Sequence, residues 1–439
     1  MRMKGEFRKA WLVAGVFATF ACFLSAAEAS YTETTLYPFC SASACKDGSN
    51  PLGELVTGGG GILYGTTNGG GNGYEKGRNP GDGVVFGLTT DTGGYSVVYR
   101  FCSKTACADG LHPGDVKLVI DTAGNLYGTT FSGGTNGSGV VFELIPSGSA
   151  WREKTLYSFC AKKHCKDGAG PATGLTYSGA TAGQPYDGIS PLFGTTEDGG
   201  AYLQGSVFSI SPKTGTKKWT ETVLYSFCPQ SGCSDGMEPT APLLVDGSGN
   251  IYGTTEFGGQ ANLGTAYEIS KNGTEYISNI LYSFCAQTNC TDGEGPHGGL
   301  VMDSGGNLFG STASGGSGQG LLFELSANGD GWQYNVLEEF NGANGSGPEG
   351  ALIIDSSNNL FGTTFFGGAQ KKGTVFEFNG AIQTLYSFCT GRNCPDGKEP
   401  VAGVIEDGSG NLYGVTSAGA NKNSGTIIEL SPSETGASR

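Results

Sequence analysis

Residues 242–269 read Pro242-Leu-Leu-Val-Asp246-Gly-Ser-Gly-Asn250-Ile-Tyr-Gly-Thr-Thr255-Glu-Phe-Gly-Gly259-Gln-Ala-Asn-Leu-Gly264-Thr-Ala-Tyr-Glu-Ile269. A polar turn follows, then Tyr276-Ile-Ser-Asn-Ile-Leu-Tyr-Ser-Phe284. Four short runs rich in β-branched and aromatic residues stand here between Gly, Asn, Asp and Ser, the pattern of strands joined by tight turns. We label them a (Pro242–Asp246), b (Asn250–Thr255), c (Gly264–Ile269) and d (Tyr276–Phe284). The stretch recurs along the chain. A Leu-Tyr-Ser-Phe-like segment ends at Phe39, Phe101, Phe159, Phe227, Phe284, Phe340 and Phe388, so there are seven units. Insertions at residues 68–83 and 178–190 account for the two longest spacings.

Seven sets of four short antiparallel strands predict an all-β fold, a seven-bladed β-propeller with four-stranded blades. The ends support closure. The chain enters on a d strand (Tyr31 to Phe39) and leaves on a c strand (Gly425 to Leu430), so each terminal unit is incomplete. Pairing the two completes the seventh blade, whereas an open array would leave a bare sheet edge. The expected organisation is one propeller over residues 30–439.

The rest of the composition narrows the class. Of 439 residues 79 are Gly, yet no Gly-X-Y period excludes collagen, and 11% aromatics supply a core that disordered chains lack. Arg2, Lys4, Arg8 and Lys9 precede an apolar run from Ala10 to Leu24 and Ala27-Glu28-Ala29, which reads as a signal peptide over residues 1–29. No later segment is apolar for long enough to span a membrane as a helix. The net charge is −15; losing the leader's four bases and two acids takes it to −17, which disfavours nucleic acid and anionic membranes as partners. The expectation is a monomeric protein secreted to the periplasm or beyond.

After the leader, twelve cysteines remain, all in C-x4-C pairs: Cys40/Cys45, Cys102/Cys107, Cys160/Cys165, Cys228/Cys233, Cys285/Cys290 and Cys389/Cys394. Each pair follows a d strand. In the sixth unit both cysteines are missing and the loop from Phe340 to Pro348 is shorter. Loss as a pair points to a bond between loop neighbours, and export makes disulfides the default. Structural zinc takes four ligands, where C-x4-C supplies two.

The unit resembles the bacterial GloVer tandem repeat in Leu224-Tyr-Ser-Phe227, Asp246 to Thr255, Gly258-Gly259 and Gly264 to Ile269, with equivalents in every unit. The resemblance implies an exported repeat protein and offers no catalytic residue to transfer. Some relatives end in a sorting anchor, which Ser431 to Arg439 does not match.

In such a blade the d–a and b–c connections share one face of the disc. That first face gathers the cysteine loops, the 68–83 insertion and the three histidines, His112, His164 and His297. Each cysteine loop ends in Cys-x-Asp-Gly, which places Asp47, Asp109, Asp167, Asp235, Asp292 and Asp396 there. Asp-Gly turns that cap their own backbone explain them simply, and a carboxylate ring drawing a cation or cationic ligand is the sharper reading. The Asp-x-x-x-Asn repeats (Asp121/Asn125 and four others) lack a calcium loop's further acids and read as hairpin turns.

Trp151, Trp219 and Trp332, with Tyr31 and Tyr276, lie eight residues before a repeat Phe. That spacing puts them on the same strand side as the d-strand Tyr and Phe, as caps of the outer strand or as a row of sugar-stacking rings. Three histidines in separate loops give no nucleophile–base pair, and Gly232-Cys-Ser-Asp-Gly236 falls in a cysteine loop, not at a strand–turn–helix. The sequence calls for no cofactor, metal or catalytic residue. It reads as a non-catalytic binding or scaffold module for polysaccharide or another exported protein. The alternative is a secreted polysaccharide lyase or glycoside hydrolase using acids on the first face.

Overall fold

The computed structural model describes residues 31–77, 80–114, 116–216, 218–329 and 331–433; the expected leader lies outside them. Seven four-stranded antiparallel sheets follow one another in the order a–b–c–d. Blades 1 to 6 span residues 56–100, 119–158, 176–226, 244–283, 301–339 and 353–387. The seventh takes a, b and c from residues 405–432 and its outer strand from the other end of the chain, with Tyr31–Pro38 pairing antiparallel to Thr426–Pro432. The ring is therefore closed by the N-terminal strand, as the strand count requires. Among the described residues no helix is long and apolar enough to cross a membrane.

The a strands are shorter than the sequence pattern suggests, only two residues each, as at Leu244–Val245. Pro242 has no N–H to donate, and the Asp246 carboxylate ends the strand by accepting from the Ser248 and Asn250 amides, both at 2.8 Å. The Asp-x-x-x-Asn motifs are thus a–b hairpin turns, each locked from within.

Gly-Thr-Thr has three separate jobs. In blade 2 a Cβ on Gly128 would stand 2.6 Å from the Phe142 ring, so the residue must be Gly for the c-strand ring to lie over the b strand. Thr129 donates to the Thr173 carbonyl of the next blade at 2.8 Å. Thr130 donates to the Ser132 carbonyl at 2.8 Å and holds the start of the b–c loop. The last contact recurs in all seven blades.

The core is a set of seams between blades. At six of the seven seams the Phe that ends the d strand meets the c-strand ring of the next blade edge-on, as in Phe101–Phe142 and Phe284–Phe323, with centroids 5.1 and 5.2 Å apart. Such pairs add about 0.5–1.5 kcal/mol beyond burial of their area.

Leu-Tyr-Ser-Phe carries a feature that the spacing does not show. In every blade the c–d register slips by one residue before the Tyr (Glu338 in blade 5), so that Leu281, for example, lies between Ile280 and Tyr282, the partners of Tyr267 and Ala266. This β-bulge reverses the alternation upstream of it. Trp151 therefore packs back on blade 1 while Phe159 of the same strand faces blade 3. The same-side expectation for the Trp row is overturned for that reason.

Six disulfides join the cysteines within their own loops, and both members of every pair hold a left-handed backbone. Each loop also crosses a seam: the Cys45 carbonyl accepts from Gly71 of the next blade at 2.9 Å, and Cys107, Cys165, Cys233, Cys290 and Cys394 do the same.

Non-reducing peptide mapping is expected to recover only loop-internal pairs, and Cys285→Ser with Cys290→Ser to cost about 2 kcal/mol of stability. Tyr267 stands where five other blades carry Phe, and its buried hydroxyl has no hydrogen-bond partner. Tyr267→Phe is expected to stabilise the protein by about 1 kcal/mol in chemical unfolding; an unchanged or lowered midpoint contradicts this.

Candidate functional site

The six aspartates of the cysteine loops are consumed by the loops themselves. Asp167 is fully buried; it accepts from the Tyr157 hydroxyl at 2.7 Å and from the Ala161 and Lys162 amides at 2.8 and 3.0 Å. Asp47, Asp109, Asp235, Asp292 and Asp396 each take the equivalent d-strand Tyr hydroxyl. Burial is the first cause holding these tyrosines protonated, and the carboxylate beside each adds to it. The aspartates stand one to a seam and no two are brought together. Trp151, Trp219 and Trp332 are half-buried and contact Tyr64, Tyr127 and Tyr252 of the preceding blade, at 6.0, 6.1 and 6.2 Å. They cover seams.

Variation is concentrated elsewhere, at the channel mouth on the first face. Just before the loop Pro, each blade places one residue in the left-handed region: Asn50, His112, Gly170, Glu238, Gly295, Gly347 and Glu399, with φ from 55 to 63°. Its N–H donates to a b–c loop carbonyl of the preceding blade, and its carbonyl accepts from the residue after Gly-Thr-Thr of its own blade. His112, for example, bonds Asp82 and Phe131, both at 3.0 Å. Glycine meets this backbone demand at three positions. Holding Glu or His there costs about 1 kcal/mol or more, which makes the side chains themselves the point of interest.

Two further rings border the opening. The residue after Pro is Leu52, Gly114, Ala172, Thr240, His297, Glu349 or Val401, and the residue after Gly-Thr-Thr is Asn68, Phe131, Glu197, Glu256, Ala313, Phe365 or Ser417. A pocket of about 350 Å³ is lined by Asn68, His112, Phe131, Glu197 and Thr240, with Phe131 38% exposed. Beside it the His297 Nε2 lies 4.0 Å from Glu256. Burial, reinforced by neighbouring acids, raises the carboxyls of Glu197 and Glu238 above their ordinary range. For Glu349 burial raises the value most, Glu256 adds to it and His297 partly offsets it. Deeper in, Lys117 reaches across a seam to Glu54 at 2.7 Å. Its side chain is 44% exposed to the channel, and the Glu54 carboxylate outweighs desolvation in raising the ammonium above its ordinary value. Below this pair, the 178–190 insertion turns over the channel's other end, where the Thr181 hydroxyl donates to the Val245 carbonyl at 3.2 Å.

Sequence reasoning placed His112 and His297 on this face and missed Phe131, Glu197, Thr240, Glu238, Glu256 and Glu349. Their signal is inverse: in units whose motifs barely change, these positions change most.

A family model described as the Gloeobacter/Verrucomicrobia repeat matches residues 26–186 and 182–428. No curated protein matches the sequence. Among solved structures, the extracellular domain of a one-component system of B. thetaiotaomicron is similar at 11% identity and TM-score 0.51, over 92% of this chain and 40% of that one. A puromycin-hydrolysing peptidase of Mycobacterium tuberculosis is similar at 9% identity and TM-score 0.52, over 94% of this chain and 56% of that one. The chain thus spans about half the length of these structures or less, and the likeness is one of fold.

The raised carboxyl of Glu349 has a consequence for stability. A folded-state value above the unfolded one means that stability falls as pH rises from the ordinary glutamate value through the raised value. Glu349→Gln is therefore expected to melt higher than the wild type at pH 7, with the gap closing below pH 4. A gap that is constant with pH contradicts this.

Proposed function

The chain belongs to the Gloeobacter/Verrucomicrobia repeat family, and from that premise we propose that it is an exported, non-catalytic binding propeller that holds a glycan at the first-face channel mouth. Six disulfides favour an oxidising compartment. The observation that carries the reading is the pocket at Phe131. One half-exposed aromatic face stands beside an amide, an imidazole, a hydroxyl and a carboxyl, the groups that bind a sugar's apolar C–H face and its hydroxyls together. The nearby glutamates repel anions, so the ligand is a neutral or amino sugar chain and not an acidic one. Another exported protein remains a partner for the rim, where Tyr202 and Leu203 are exposed.

A secreted hydrolase or lyase is the competing activity. Calorimetric titration with laminarin and chitin oligosaccharides is expected to show binding that Phe131→Ala weakens at least tenfold, about 1.4 kcal/mol. Incubation with the same glycans is expected to release no new reducing ends. Release that Glu197→Gln or Glu349→Gln abolishes would replace the binding reading with the enzymatic one.

A further inference from the structure

At six seams a disulfide loop sits in the notch between the outer strand of one blade and the b–c loop of the next, leaving at the blade 6–7 seam a pocket of about 340 Å³ beside Cys394 and Lys422. The seam between blades 5 and 6 is built differently. Its loop is four residues shorter between Phe and Pro than the others and has no cysteine. Two asparagines close it instead: the Asn341 side-chain oxygen accepts from the Ala343 and Asn344 amides, both at 3.0 Å, and that of Asn344 accepts from the Asn341 amide at 2.9 Å. The seam-crossing bond survives, with the Gly342 carbonyl accepting from Gly368 at 2.9 Å where other seams use a cysteine carbonyl. Thus the loop keeps its role as a staple and gives up its bulk.

The space so freed is a groove of about 1160 Å³. Phe366 stands in its wall, 50% exposed, held from behind by paired backbone bonds to Ser346 and by the edge of Phe365, 4.5 Å away. Phe365, next to it in the chain, belongs to the ring of residues around the mouth. Its polar lining includes Gln319, Asn341, Thr384 and Lys371 and contains no carboxylate. In a chain of net charge −15 such a stretch is unusual. Among the described residues Lys371 is exposed and appears in no ion pair.

We propose that this cysteine-free seam is a second glycan-binding site, for an extended chain of acidic sugars, with Phe366 as the stacking platform and Lys371 as the partner of a uronate carboxylate. A groove of about 1160 Å³ has room for a polymer segment, the half-exposed ring suits a pyranose face, and no carboxylate lines the groove itself, Glu339 standing at its edge against Gly316. The site extends the glycan reading given above to a second place and a different sugar class.

Affinity electrophoresis of the full protein in gels containing sodium polygalacturonate, laminarin or chitosan tests it. Retardation by polygalacturonate is expected, weakened at least tenfold by Phe366→Ala and by Lys371→Ala, and reduced by added salt. Exchange of residues 341–347 for the disulfide loop 285–295 is expected to abolish it by filling the groove. Either point variant binding polygalacturonate like the wild type overturns the proposal, as does a wild type that polygalacturonate does not retard, whatever laminarin and chitosan do. Loss in Phe131→Ala with retention in Phe366→Ala assigns binding to the mouth and likewise overturns the groove. The laminarin and chitin titrations at the mouth are read separately, so failure here leaves that reading to its own test.

Discussion

The ring depends on one contact, the aromatic seam in which the Phe at the end of one blade's outer strand packs edge-on against the c-strand ring of the next. At 5.0–5.2 Å in Phe39–Phe86, Phe101–Phe142, Phe159–Phe208, Phe227–Tyr267, Phe284–Phe323 and Phe340–Phe376, the pair fixes both spacing and tilt between neighbours. In the remaining seam the ring is replaced by Ile428, which shares a hydrophobic cluster with Phe388. A single sheet cannot bury both of its faces, so no blade is stable by itself and each becomes the wall of the next. Equal seams repeated seven times leave the last blade short of one strand, and Tyr31–Pro38 supplies it.

Around that seam the motif residues divide the labour. Gly-Thr-Thr admits the ring, bridges to the next blade and ties down the b–c loop. The bulge in Leu-Tyr-Ser-Phe lets one outer strand send Phe toward one neighbour and Trp toward the other. The cysteine loop covers the outer end of the seam, where its aspartate gathers the Tyr hydroxyl and one or two backbone amides. These carboxylates are held by structure, and in all but the half-buried Asp235 the same burial that makes them useful to the loop removes them from solution. At the four non-glycine left-handed positions around the mouth, Asn50, His112, Glu238 and Glu399, hydrogen bonds fix the backbone while the side chain differs from blade to blade.

Fold and closure were legible because they rest on local facts: a period, turn residues, and which strand type begins and ends the chain. The disulfide partners were legible from the paired loss at Phe340–Pro348. The Trp row was misread in one respect, since a bulge shifts side-chain parity without leaving a mark in residue spacing. Of the mouth, only its face was legible, through His112 and His297; its composition was not. Glu197, Glu349 and Phe131 are separated by many tens of residues and belong to three different blades, and each looks like an ordinary loop residue within its own repeat.

The amino-acid sequence by itself determined the number of blades, the order of strands within them and the pairing of the cysteines, because repetition states each of these seven times or six. Only the tertiary structure decided which side chains face the channel, which acids lose their solvent, and where a missing disulfide becomes a groove. Those properties come from residues of different repeats converging on an axis or across a seam, and convergence is a matter of distance in space that no spacing along the chain encodes.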